Sequence, residues 1–146
     1  MFLNHEDFVF ETGIQSFEDL QIENKSDRYQ YNLPYYNYDK LVEQDYFNGT
    51  IDFNSNGNNY LSETNKLETN IINNFIYNST DYISDFGFKN NFSLSLKNLN
   101  SIGKKTSQYK TNPQMEIASL FNVDLSMPLE KKSNNSDNIL IPKISF

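Results

Sequence analysis

Between Phe86 and Leu99 every second residue changes character. Phe86, Phe88, Phe92, Leu94 and Leu96 fall on one side, interrupted only by Asn90, while Gly87, Lys89, Asn91, Ser93, Ser95 and Lys97 fall on the other. Side chains of an extended strand point alternately to opposite faces, so the stretch reads as a β-strand with one apolar and one polar face. Helical spacing would scatter its lysines and serines through the apolar stripe. At about 3.3 Å per residue the stretch spans roughly 45 Å. Strands of ordinary domains run about 5–6 residues, whereas an outer-membrane barrel strand needs about 9–11 tilted residues for the hydrocarbon layer alone. The length therefore poses a choice between an ordinary sheet and a membrane barrel.

The same alternation recurs along the chain. It predicts strands over Asp7–Phe17, Arg28–Tyr38, Tyr46–Asn54, Pro113–Leu125 and Asn138–Phe146. Over Lys66–Tyr77 a helix would line up Leu67, Ile71 and Phe75, but Ile71-Ile72 and Phe75-Ile76-Tyr77 are rich in β-formers and favour a strand. With Phe86–Leu99 this makes about seven strands and no helix: an all-β antiparallel meander. Pro34 cannot donate to a ladder, so the second strand breaks, bulges or lies at an edge there. Tyr29, Tyr31, Tyr35, Tyr36 and Tyr38 crowd this strand. They fit an aromatic girdle at a membrane interface, and equally a half-exposed ordinary strand, since tyrosine is a good strand former. Connections are expected after Leu20, near Lys40–Asp45, and at Ser55–Asn65, Asn78–Tyr82, Asn100–Asn112 and Glu130–Asp137. The first five are by turns long and short, as in barrels with long outer loops and short inner turns.

Composition removes several classes of function. A formal charge of −7 lacks the basic footprint of a nucleic-acid binder. Without cysteine there is no disulfide, thiol catalysis or zinc–thiolate site. A Ser–His–Asp triad would have to use the single histidine, His5, beside the first residue. No apolar run is long enough for a membrane helix, and the first residues have no signal-peptide pattern. A mean hydropathy of −0.68 leaves a barrel open, because only alternate residues meet lipid. One motif tempts: Asp52, Asn54, Asn56 and Gly57 with Glu63 match the calcium-loop pattern. That loop needs flanking helices, and the residues entering it alternate like a strand, so strand then loop is the better reading. Lys104–Lys105 and Lys131–Lys132 read as solvated loop charges. No metal, cofactor or catalytic site is expected.

Several short motifs, in order, resemble one family. Ser26-Asp-Arg-Tyr-Gln-Tyr-Asn-Leu-Pro-Tyr-Tyr36 is similar to the "RY-x-LP" strand of the lipopolysaccharide-assembly outer-membrane proteins, also called organic-solvent-tolerance proteins. Leu61-Ser-Glu-Thr-Asn65, Leu67-Glu-Thr-Asn-Ile71, the turn at Asn78–Asp85 with Gly87, Phe88–Leu99, and Pro113 through Met127-Pro-Leu129 continue the resemblance. Ile139-Leu-Ile-Pro-Lys-Ile-Ser-Phe146 resembles its "L-x-P-K/R-x-x" strand.

The resemblance implies a translocon in the bacterial outer membrane, not an enzyme. Its partners would be lipopolysaccharide, an outer-membrane lipoprotein plug and a periplasmic bridge protein. It also implies that Phe88, Phe92, Leu94, Leu96, Met115, Ile117, Phe121 and Val123 face lipid. Lys89, Asn91, Ser93, Ser95 and Lys97 would then face the lumen. The family's periplasmic domain, cysteines and closing strands have no counterpart here, so the expectation is an internal barrel piece forming an open, curved sheet. The other readings are a β-sandwich binding module of the lectin or adhesin kind, whose apolar faces pack on each other, and a calcium protein built on Asp52–Glu63.

Overall fold

The computed structural model describes residues 1–23, 27–44, 48–63, 65–133 and 136–146. Among these there is no helix, and most of them lie in strands. Six long strands carry the architecture: β2 (Phe8–Glu18), β3 (Tyr29–Gln44), β4 (Gly49–Ser62), β5 (Lys66–Ser79), β7 (Lys89–Lys104) and β8 (Gln114–Ser126). They run from 11 to 16 residues and pair antiparallel, each with the next, into one open meander. Short strands fringe it: β1 (Phe2–Asn4) on β2, β6 (Tyr82–Ile83) on β7 and β11 (Lys143–Ser145) on β8. A separate hairpin joins β9 (Leu129–Ser133) to β10 (Ser136–Leu140). The all-β meander of long strands, open and not closed on itself, is the expected fold class.

The strands outrun their expected bounds. Tyr46 and Phe47, expected to open one strand, lie outside the described residues. β4 continues through Ser55–Ser62, expected to be loop, and β7 continues to Lys104. Glu130–Asp137, also expected to be loop, contributes both arms of the β9–β10 hairpin. The last expected strand is split at Ile141–Pro142, where proline has no N–H for a ladder. The connections consequently do not alternate. Residues 19–28, 63–65 and 105–113 join strands at one end, and residues 45–48, 80–88 and 127–142 at the other. Long and short links occur at both.

Of the break, bulge or edge position expected at Pro34, the structure has the bulge. Leu33 and Pro34 together face one residue, Ile14, on β2, and one residue, Asn59, on β4. Side chains replace the ladder bonds lost there: the Asn59 N–H donates to Asn32 Oδ1 at 3.1 Å, and Asn59 Nδ2 donates to the Leu33 carbonyl. An extra residue reverses the alternation, so Tyr31 and Tyr36 share a face although five positions apart. Gly57 lies under the Tyr36 ring. A Cβ there would come within 2.2 Å of the ring, so only glycine lets the tyrosine lie across β4.

The sheet is a single layer. No hydrophobic residue among those described is buried, and the buried polar residues are Ser55, Ser62 and Ser101. This is the main departure from an ordinary domain, in which two layers close over a common core.

Candidate functional site

The candidate site is the pair of faces, and register assigns them. On β7 and β8, Phe92 stands opposite Val123, Leu94 opposite Phe121, Leu96 opposite Ser119 and Asn98 opposite Ile117. Across β5 and β4 the rows continue through Tyr77 with Ile51 and Phe75 with Phe53. Residues directly opposite share a face, so Phe92, Leu94, Leu96, Met115, Ile117, Phe121 and Val123 lie on one aromatic face. Lys89, Asn91, Ser93, Ser95 and Lys97 lie on the other. Phe88 precedes β7 and lines an apolar cleft of about 330 Å³ with Leu125, Met127, Pro142 and Ile144.

Rings tie the aromatic face together across the strands. Tyr77 and Phe92 lie 5.6 Å apart and Phe92 and Phe121 6.3 Å. Tyr38 touches Phe8 at 5.8 Å, Phe10 at 6.5 Å and Phe53 at 6.1 Å. Such pairs contribute about 0.5–1.5 kcal/mol each beyond their buried area. One polar row crosses this face. Ser55 Oγ donates to Asn73 Oδ1 at 2.7 Å, so the Tyr36 hydroxyl, 3.2 Å away, is the donor to Ser55. Asn73 Nδ2 donates to Asn98 Oδ1 at 3.1 Å, which also accepts from Asn100 Nδ2; Asn98 Nδ2 donates to the Glu116 carbonyl at 3.2 Å.

The opposite face is dominated by short polar side chains. Asn54 sits at the centre of a ladder: its amide donates to Asp39 at 2.6 Å, and its carbonyl accepts from Asn56 at 3.3 Å and Asn74 at 3.2 Å. At the sheet end near β6, Lys89 reaches Asp81 at 2.6 Å and Asn91 donates to it at 3.1 Å. The lysine, then the asparagine, hold the exposed Asp81 carboxyl below its ordinary value of 3.8.

The five tyrosines do not form one belt. Tyr29 and Tyr31 stack at 6.5 Å near one end of β3, and Tyr36 and Tyr38 lie farther along the same face. The bulge sends Tyr35 to the opposite face, where its hydroxyl donates to Glu11 at 2.9 Å. The calcium ligands are not gathered either. Asp52, Asn54 and Asn56 follow one another along β4, and Glu63 lies beyond the strand's end, roughly 35 Å from Asp52 at strand rise. A calcium ion needs its oxygens at about 2.3–2.6 Å. Among the described residues no group of three His, Asp or Glu could hold a metal. His5 stacks on Phe8 at 5.3 Å, exposed beside Asp7. No described helix is long and apolar enough to cross a membrane, which says nothing of strands.

The polar row Ser55–Asn73–Asn98 was not marked by any motif. It depends on the register of three strands. No family of known proteins, no curated protein and no solved structure matches the chain.

Proposed function

We propose that this chain forms part of the wall of an outer-membrane β-barrel, with its aromatic face toward lipid and its asparagine-rich face toward the lumen. The observation that carries this reading is the uncovered layer: six strands of 11 to 16 residues, apolar on one side, with no hydrophobic residue buried among those described. In water such a face needs a cover. In a bilayer the acyl chains supply it, and the alternation of apolar and polar residues is what a barrel wall requires. A β-sandwich would place a second sheet over the face. The only other described sheet is the small β9–β10 hairpin.

The chain has no tryptophan, so one introduced residue is the sole indole emitter. In vesicles of brominated phosphatidylcholine, Phe121→Trp is expected to lose most of its fluorescence. Leu120→Trp, its neighbour on the opposite face, is expected to keep it. Equal quenching of both would end the wall reading.

The finer function rests on the resemblance of the short motifs. It is the assembly of lipopolysaccharide into the outer leaflet, where this segment contributes wall strands and no chemistry. Depleting the protein in its own cells should leave newly made lipopolysaccharide on the inner side of the envelope, scored by surface labelling. Undiminished surface lipopolysaccharide after depletion would remove this function and leave the barrel wall untouched.

A further inference from the structure

We infer that residues 105–113 form a cationic strap folded inward over the polar face, so that releasing it widens the lumen and makes it more selective for cations. The inference rests on the wall reading and adds a moving part to it. Register fixes where the strap lies. Glu68 stands opposite Tyr60 and Gly103, and Asn70 opposite Ser101. These positions are in step with Asn54, Asn74 and Lys97, so they belong to the asparagine-rich face. The chain leaving β7 turns back onto that face instead of away from the sheet. Lys105 makes the turn in the left-handed conformation, at φ 54°, which a lysine keeps only where its surroundings hold it.

Backbone and side chains both tie the strap down. The Gly103 N–H donates to the Lys110 carbonyl at 2.8 Å. The Thr106 hydroxyl donates to the Glu68 carboxylate, which also lies 3.7 Å from the Lys66 ammonium. The Tyr109 hydroxyl accepts from Asn70 Nδ2 at 3.3 Å and from Gln108 Nε2 at 3.2 Å. Gly103 makes the close approach possible: a Cβ there would stand 2.9 Å from Tyr109 Cβ and from the Tyr109 carbonyl oxygen, besides meeting the Thr106 methyl. In a sheet of one layer, Ser101 is nevertheless only 8% exposed.

A layer of chain packed on a sheet face stands about 10 Å from it, so a wall that lines a lumen gives up that width where the strap lies. The strap also differs in charge from the wall beneath it. Residues 105–113 hold Lys105 and Lys110 and no acid. On the strands of the same face Glu11, Asp39, Asp52 and Glu116 outnumber Lys97, while Lys66, Lys89 and Lys143 are paired with Glu68, Asp81 and Asp124. The strap therefore sets positive charge before an acid-rich wall. Anions are favoured where it lies, and the wall without it favours cations.

Residues 1–146 contain no cysteine, so Ser101→Cys adds one thiol beneath the strap. The protein is purified from its own membrane and reconstituted into bilayers. Thr106→Ala combined with Tyr109→Phe removes the ties to Glu68 and Asn70 and leaves every strand residue in place. It should speed labelling of the introduced thiol by a water-soluble methanethiosulfonate about 10-fold or more. It should also raise the ion current across planar bilayers and shift the reversal potential in a salt gradient toward cations. Gly103→Val, which displaces the strap by volume, should do the same, with strand circular dichroism checking both variants; the double variant decides if the valine unfolds the strand. Labelling at one rate with and without the ties overturns the strap. Faster labelling with an unchanged current (zero included) and reversal potential overturns its place in the lumen. Neither result touches the wall reading, which stands or falls on bromine quenching at Phe121→Trp and Leu120→Trp.

Discussion

Phe92→Arg should shift the folding equilibrium in lipid vesicles by about 2–4 kcal/mol if the residue lies near the bilayer midplane. Ser93→Arg should change it by no more than about 0.5 kcal/mol. The two positions are adjacent in β7 and differ only in face. Phe92 stands opposite Val123 and its ring packs between those of Tyr77 and Phe121. An arginine there forfeits both ring contacts and puts a guanidinium into acyl chains. An arginine at 93 enters the face that already holds Lys97 and Asn91. Urea titrations in vesicles, followed by strand circular dichroism, read the difference directly: a factor of 30 or more in the folding constant at 92, on the order of 2 or less at 93. Matching losses at the two positions would mean that neither face meets lipid. If the larger loss fell at Ser93, the faces would be exchanged.

The contrast works because period-two patterning is the part of this fold that a linear sequence displays well. Phe92, Leu94 and Leu96 announce their face without help from other strands, and β8 follows the same rule; β5, whose Ile72 and Ile76 fall on the asparagine-rich face, follows it less cleanly. The upper half of β4 does not. Asn54, Ser55, Asn56, Gly57, Asn58 and Asn59 have the composition of a loop, and what keeps them extended is amide bonding to β3 and β5. Gly57, which reads as a turn residue after Asn56, instead gives the Tyr36 ring room to cross the strand. β3 shows a further limit. Pro34 marks where the ladder fails, but only the register on both sides shows that one extra residue is accommodated. That residue moves Tyr35 off the face of Tyr29 and Tyr31 and brings Tyr36 and Tyr38 onto it, so four tyrosines are strung along the strand instead of five gathered in one belt. Misreading β4 also produced the apparent alternation of loop lengths, so that expectation failed while the alternation within the strands held. What speaks for a membrane wall is therefore the uncovered aromatic face, not the connections.

That face has one feature that an acyl environment should make costly to disturb. The row Tyr36–Ser55–Asn73–Asn98 crosses it, and Asn98 is where the row converges: its carbonyl accepts from Asn73 and Asn100, and its amide donates to the Glu116 backbone. Asn98→Ala removes the acceptor of two amide groups at once, while Ser55 and Asn73 keep their own bond. In water the freed amides would be solvated and the change would be small. Facing lipid they are not, and each unsatisfied polar group costs about 1–3 kcal/mol. The expected loss in vesicles is at least about 2 kcal/mol. Asn91→Ala supplies the control: it lies on the opposite face and gives up one exposed bond to Asp81, with an expected loss below about 1 kcal/mol. The Asn98 penalty should also shrink when the protein is moved from vesicles into a detergent that wets the face, because water can then reach the orphaned amides. A penalty at Asn98 that is small in vesicles, or unchanged by the transfer, would show that the row is already hydrated and that the aromatic face does not lie against acyl chains at that height.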